Sequence, residues 1–175
     1  MQPAQVPLWE SDPALLPVIV ASAMSAVVCV GLHGEAACQI RKWGGRSTLP
    51  TQVILPACVL ILLSIHIVQV LVYALAHFVI EVMFGDRIGS LALADGSLVE
   101  RIYFSAVVFS TLGFGDIVPV GPIRLLVAIE SINGLMLIAW SATLTYTMLE
   151  LEHDGWFKPR SRRKTRAGVG TKEHP

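Results

Sequence analysis

Residues 97–116 read SLVERIYFSAVVFSTLGFGD. Ser97 followed three residues later by Glu100 is a capping box, so a helix is expected to open here and run from Leu98 to Ser110. At about 1.5 Å per residue that helix is roughly 20 Å long, too short to cross a hydrocarbon core about 30 Å thick. Its run of Ile102, Tyr103, Phe104, Ala106, Val107, Val108 and Phe109 is too apolar to lie in water. A half-membrane, re-entrant helix satisfies both conditions. Directly after it, Gly113 and Gly115 interrupt the helical pattern at alternate positions. Irregular backbone at membrane depth is tolerated only where it is buried in protein or lines a water-filled path. Two glycines that take positive φ at little steric cost allow the chain to alternate in hand and so aim successive carbonyl oxygens at one axis. Thr111 would add a hydroxyl at the inner end and Asp116 a negative charge at the outer mouth. Such a segment suits a cation, whose transfer from water into a low-dielectric interior costs on the order of 20 kcal/mol unless dipoles replace the lost water. The end of the short helix, with about half a negative charge, favours the same sign.

The rest of the chain supplies the membrane. Of 175 residues 54% are hydrophobic and 15% charged, too apolar for an ordinary soluble domain. The excess falls in three blocks, Ala14 to Leu32, Val53 to Ile80 and Ser131 to Leu149, each long enough to span. The middle block leaves no room for two spans and a turn, so one long tilted helix is expected, with Pro56 at most kinking its start. An all-α membrane protein follows, with three transmembrane helices around a re-entrant helix and loop. The first block is read as a retained helix and not a cleaved signal, because residues 1–13 carry Glu10 and Asp12 but no Lys or Arg. Arg41, Lys42 and Arg46 fall in the stretch from His33 to Pro50, read as a cytoplasmic loop, while the region carrying Glu81, Asp86, Asp95 and Glu100 is acidic. The tail is basic, with Lys158, Arg160, Arg162, Arg163, Lys164, Arg166 and Lys172. The positive-inside rule then puts the N-terminus outside and the C-terminus in the cytoplasm of a cell membrane, plasma or inner.

Thr111 to Asp116 resembles the potassium-channel signature, usually written Thr-Val-Gly-Tyr-Gly-Asp, with Leu112 and Phe114 in place of the commoner valine and tyrosine. The order of outer helix, pore helix, filter and inner helix, with Pro119 after the filter, resembles the two-helix pore module of the bacterial potassium-channel superfamily from Thr51 to Glu150. The resemblance implies four copies around one axis, a homotetramer, and potassium as permeant cargo at Thr111, Leu112, Gly113 and Phe114, with Gly115 completing the filter and no cofactor. It implies that the side chains of Leu112 and Phe114 point into the wall behind the filter. Residues 1–50 are then an added transmembrane helix and basic loop, 51–150 the pore domain and 151–175 a basic cytoplasmic tail. Gly134, 19 residues after Gly115, falls near the family's inner-helix hinge, with close helix packing as the competing reading. Leu135, Ile138, Ala142 and Tyr146 share one helical stripe and are expected to line the inner cavity, against a rival stripe containing Ser141 and Thr145.

Several residues stay outside that scheme. Glu130 lies within a span, where an unpaired charge is costly, and a contact to the filter-supporting region is the expected reading. His66, and His77 with Glu81 one turn later, show no third metal ligand and are read as structural. Cys29, Cys38 and Cys58 match neither a disulfide framework nor a zinc site. Trp156 to Arg166 fits contact with anionic lipid headgroups as well as it fits a topology determinant, and no nucleic-acid partner is expected. The pattern has no nucleophile–base pair, metal cluster or complete dinucleotide fingerprint, so no enzyme is expected. The reading is a potassium-selective channel subunit; the alternatives are a weakly selective cation channel of the same architecture and a non-conducting membrane subunit.

Overall fold

The computed structural model describes residues 15–47, 49–93 and 96–153. The basic tail and the acidic N-terminal residues lie outside the described residues. The described residues form four α-helices, α1 (Leu15–Arg46), α2 (Thr51–Phe84), α3 (Leu98–Phe109) and α4 (Arg124–His153), with a 3-10 turn over Gly85–Ile88 and two-residue strands β1 (Ser90–Leu91) and β2 (Pro119–Val120). Three of these helices are long and apolar enough to cross a membrane, over Leu15–Gly44, Gln52–Phe84 and Arg124–Glu150. The protein is therefore an all-α membrane protein with the expected short helix between its second and third spans. The middle block is a single helix that contains Pro56.

The helices overrun the apolar blocks, and one expectation needs correction. The stretch from His33 to Pro50 is not a loop: α1 continues to Arg46, and only residues 47–50 connect it to α2. Leaving the apolar block does not end a helix, because nothing between Glu35 and Lys42 breaks one. Ala36 and Ala37 are strong helix formers, and Gln39 donates to Glu35 one turn back at 2.7 Å. The stop falls where Gly44, Gly45 and Pro50 remove that support.

Burial runs opposite to that of a soluble bundle. On α1 the buried face carries Val18, Ser22, Ser25, Cys29 and His33, while Leu16, Ile19, Val20, Met24 and Val27 are exposed. Small and polar residues on the inner stripe let helices approach closely and bond to one another, and the large aliphatics face lipid. α1 packs against both α2 and α4. The interior is organised in three polar levels along the α2–α4 seam. His77, Glu130 and Ser105 form the first, Tyr73 with Asn133 the second, and His66, Gln69, His33 and Ser141 the third.

The small antiparallel ribbon is not legible in the sequence. Ser90 pairs with Val120 and Leu91 with Pro119, which ties the segment before α3 to the segment after the glycine-rich stretch. The crossing is tight: Gly89 and Gly121 both have positive φ, and a Cβ on Gly89 would lie 1.7 Å from the carbonyl oxygen of Val120. Next to the crossing, Ile123 N–H donates to Ile88 O at 2.8 Å, and both side chains are fully buried. Gly89→Ala is expected to break this ribbon, adding a backbone clash to about 1–3 kcal/mol of conformational strain. A fall of several degrees in the thermal midpoint of the detergent-solubilised protein checks it; an unchanged midpoint would show that the ribbon bears no load.

Candidate functional site

Helix α3 starts where the sequence places it. Ser97 is the N-cap, its hydroxyl accepting from Glu100 N–H at 3.1 Å. The helix ends at Phe109 with Ser110 as C-cap. Its stop shapes everything that follows. Thr111 N–H donates to Val108 O at 2.9 Å and Leu112 N–H to Val107 O at 3.0 Å, the paired bonds of a Schellman stop. Gly113 N–H also reaches Val107 O, at 3.4 Å. A Schellman stop puts its first residue beyond the cap in the left-handed region, usually a glycine. Here that residue is Thr111, at φ 61°, a conformation a β-branched residue adopts only under constraint from its surroundings.

Left-handed φ recurs at every second residue, 61° at Thr111, 57° at Gly113 and 80° at Gly115. In a planar trans peptide the carbonyl points opposite to the N–H of the next residue. Because the N–H groups of residues 111–113 point back into the end of α3, the carbonyls of Ser110, Thr111 and Leu112 point away from it. The whole stretch from Thr111 to Asp116 is exposed on the single chain, with Leu112 at 63% and Phe114 at 65%. Neither side chain is buried by the chain itself.

Three contacts hold this stretch. At the outer end Tyr103 O–H donates to Asp116 Oδ2 at 2.8 Å, tying α3 to the residue that closes the motif. That donation holds the Asp116 carboxyl below its usual range, so it stays ionised at neutral pH. At the inner end Gly134 of α4 sits against the C-terminus of α3, where a Cβ would lie 2.1 Å from Phe109 O. The helix continues unbroken through Gly134, and the approach to Phe109 leaves no room for a side chain there. Along its length α3 is held through Ser105, whose hydroxyl meets Val70 O of α2 at 2.9 Å and the Glu130 carboxyl of α4.

Glu130 thus contacts the short helix α3 through Ser105, but its second partner was not legible. His77 pairs with Glu130 at 2.8 Å and not with Glu81 one turn along its own helix. Glu81 instead bonds Arg101 of α3 and accepts from Leu91 N–H at 2.9 Å, and Arg101 lies over the Phe78 ring. Hydrogen-bond arithmetic sets the charge state of the buried group. Ser105 has one proton and faces two acceptors, a conflict removed if Glu130 is the carboxylic acid and donates to Ser105 while Ser105 donates to Val70 O. His77 Nδ1 is buried without a partner among the described residues. It therefore costs less as a bare nitrogen than as an N–H, and His77 donates through Nε2 alone. Both members are neutral, which avoids burying a charge in the membrane.

The candidate lining stripe is exposed on the single chain at Leu135, Ile138, Ala142 and Tyr146. The rival stripe is half-buried: Ser141 bonds His66 of α2 at 2.9 Å, and Thr145 donates to Ser141 O of its own helix. No group of three or more His, Cys, Asp or Glu able to hold a metal occurs among the described residues.

Three apolar spanning helices, a capped re-entrant helix and an exposed stretch of alternating hand at its end define an integral membrane protein of the pore-loop class. The chain belongs to the family described as "Ion channel", whose model matches residues 60–150, from the first third of α2 to the last turn of α4. Over 92 residues it is 28% identical to the inward rectifier potassium channel Kirbac3.1 of Paramagnetospirillum magnetotacticum; the match covers 52% of this chain and 29% of that protein. The chain thus spans less than a third of that relative's length. No solved structure matches it. Helix α1 precedes the region matched by the family model.

Glu130→Gln, which keeps a donor and an acceptor, is expected to change stability little, whereas Glu130→Leu leaves the buried His77 N–H without an acceptor and costs about 1–3 kcal/mol. Thermal unfolding of the two variants in detergent checks this; equal loss in both would show that the charge of Glu130 matters and that the neutral assignment is wrong.

Proposed function

We propose that the chain is the subunit of a homotetrameric, potassium-selective channel. Carbonyls and the Thr111 hydroxyl in the stretch Thr111, Leu112, Gly113, Phe114 and Gly115 hold the permeant ions, with Asp116 at the outer mouth. The observation that carries the reading is the alternation of left-handed φ at residues 111, 113 and 115, together with N–H groups bonded back to α3 that turn carbonyls away from it. The relative's printed name, a potassium channel, supports the choice of ion. Four subunits follow from the need to close rings of carbonyls around one axis. The exposed apolar residues Leu98, Val99, Leu112, Phe114 and Leu135 are surface that neighbouring copies would cover. The cavity below the filter is assigned to Leu135, Ile138, Ala142 and Tyr146, because Ser141 of the rival stripe is engaged with α2. Residues 51–150 form the pore domain, and α1 is an added helix behind it. Arg41, Lys42 and Arg46, near the end of α1, set the inside face.

The weakly selective alternative rests on one observation, that nothing within the subunit buries Leu112 or Phe114. Filter stiffness in that reading depends wholly on how neighbours pack.

Reversal potential in a planar bilayer under opposed potassium and sodium gradients decides between them. A value near the potassium potential is expected; a value near zero selects the weakly selective channel, and absence of current from a verified tetramer selects the non-conducting subunit. Gly113→Ala is expected to abolish current. A Cβ there meets no atom within 4 Å, so its effect is conformational, about 1–2 kcal/mol per subunit against the left-handed backbone. Normal conduction in that variant would place the filter elsewhere. Cross-linking in mild detergent is expected to end at four chains, and a clean dimer would overturn the assembly.

A further inference from the structure

The third polar level lies between α1, α2 and α4 below the end of α3, and its hydrogen bonds close into a ring. Gln69 Nε2 lies 3.1 Å from Cys29 O. A backbone carbonyl only accepts, so this contact fixes which end of the Gln69 amide is nitrogen, and the rest follows in order. Gln69 Oε1, the acceptor end, lies 2.9 Å from His66 Nδ1, which must carry the proton there. His66 Nε2 is then a bare acceptor in the neutral ring, and Ser141 O–H donates to it at 2.9 Å. With its proton committed, Ser141 Oγ accepts from His33 Nε2–H at 3.5 Å. That leaves His33 Nδ1 bare, and it accepts the second Gln69 N–H at 3.5 Å. The four bonds of the cycle all run in one direction, each with one proton, and both imidazoles are neutral and of opposite tautomer.

An added proton has no place in this ring. On His33 Nδ1 it sets two donors face to face across the contact with Gln69; on His66 Nε2 it reverses the bond to Ser141 and displaces that hydroxyl proton. Either event also leaves a cation between imidazoles whose centroids are 5.5 Å apart, inside the membrane. The apolar neighbours offer no counter-charge: Phe109 of α3 lies 5.8 Å from the His66 ring and Trp140 of α4 lies 5.0 Å from the His33 ring. Among the described residues the other titratable side chain contributed here by α1 is Cys29, whose Sγ lies 4.0 Å from Gln69 O. α3 contributes none. On α2 and α4, Tyr73 lies farther out, and His77 and Glu130 farther still, roughly 16 Å along their helices from His66 and Ser141, where they are paired with each other.

We propose that His33, His66, Gln69 and Ser141 form a proton-binding site that couples α1 to the inner helix. Closed and neutral, the ring ties α4 to α1 through Ser141 and His33; on taking up a proton it opens and releases the half of α4 below Gly134. Acid therefore favours the released form by mass action, because only the opened ring binds the proton. His66 and Ser141 are half-buried, whereas His33 and Gln69 are fully buried, so a proton enters the ring through the His66–Ser141 side. The coupling to current rests on the channel reading above; the site itself does not.

Histidine 15N chemical shifts of the full-length protein in lipid bilayers test the ring, with His33→Gln and His66→Gln assigning the signals. At about pH 8 His66 is expected as the Nδ1–H tautomer and His33 as the Nε2–H tautomer, and on titration to about pH 5 both signals move together as one imidazolium forms. The same tautomer at both positions, or two neutral rings at the acid end, overturns the site. Potassium flux from proteoliposomes over the same range is expected to show a pH step that the doubly substituted protein loses; an identical profile in both overturns the coupling. If the shifts behave as expected but no flux occurs at any pH, the channel reading fails and the proton site stands.

Discussion

Backbone N–H groups at membrane depth must find acceptors within the protein, and the way α3 meets that constraint determines the geometry of the rest. Its last turn folds the following three N–H groups back onto Val107 and Val108, so the carbonyls of the same peptides are left pointing the other way. One solution to the problem of a buried helix end thus produces a surface of bare carbonyl oxygens. A threonine at φ 61° carries the strain of that stop. Around this stop the protein places a contact on each side: Tyr103 to Asp116 outside, Gly134 against Phe109 inside, and Ser105 with Glu130 along the shaft.

These supports are polar, and they work because the surroundings are not. Lipid offers no hydrogen bonds, so a polar side chain on a spanning helix is satisfied by its neighbours or remains costly. The interior answers with three levels of neutral or hydroxyl-mediated contacts, while aliphatic residues cover the outer faces. Helix α1 takes part through small residues and through His33. It is therefore fastened to both α2 and α4 and does not merely lie against them.

The ribbon between β1 and β2 complements this arrangement. It joins the chain entering α3 to the chain leaving the glycine-rich stretch, so both ends of the re-entrant segment are anchored to one another as well as to α2. Glu81 extends the anchor by accepting from β1 and pairing with Arg101.

The sequence by itself determined the membrane class, three spans, the capped start of α3 and the positive φ of Gly113 and Gly115. These depend on local rules: apolar length, a capping serine, and glycine's freedom from a Cβ. It also pointed to Glu130 as a contact of the pore-loop support, because a carboxyl inside a span must have a partner. What it left undecided were pairings between residues far apart in the chain. His77 lies one turn from Glu81 and yet pairs with a carboxyl 53 residues away, and His33, placed in a loop by its position after the first apolar block, is a fully buried member of a three-helix ring. Only the tertiary structure decided these, since which polar groups meet in a low-dielectric interior is set by how the helices are rotated and staggered against one another, and no local pattern encodes that.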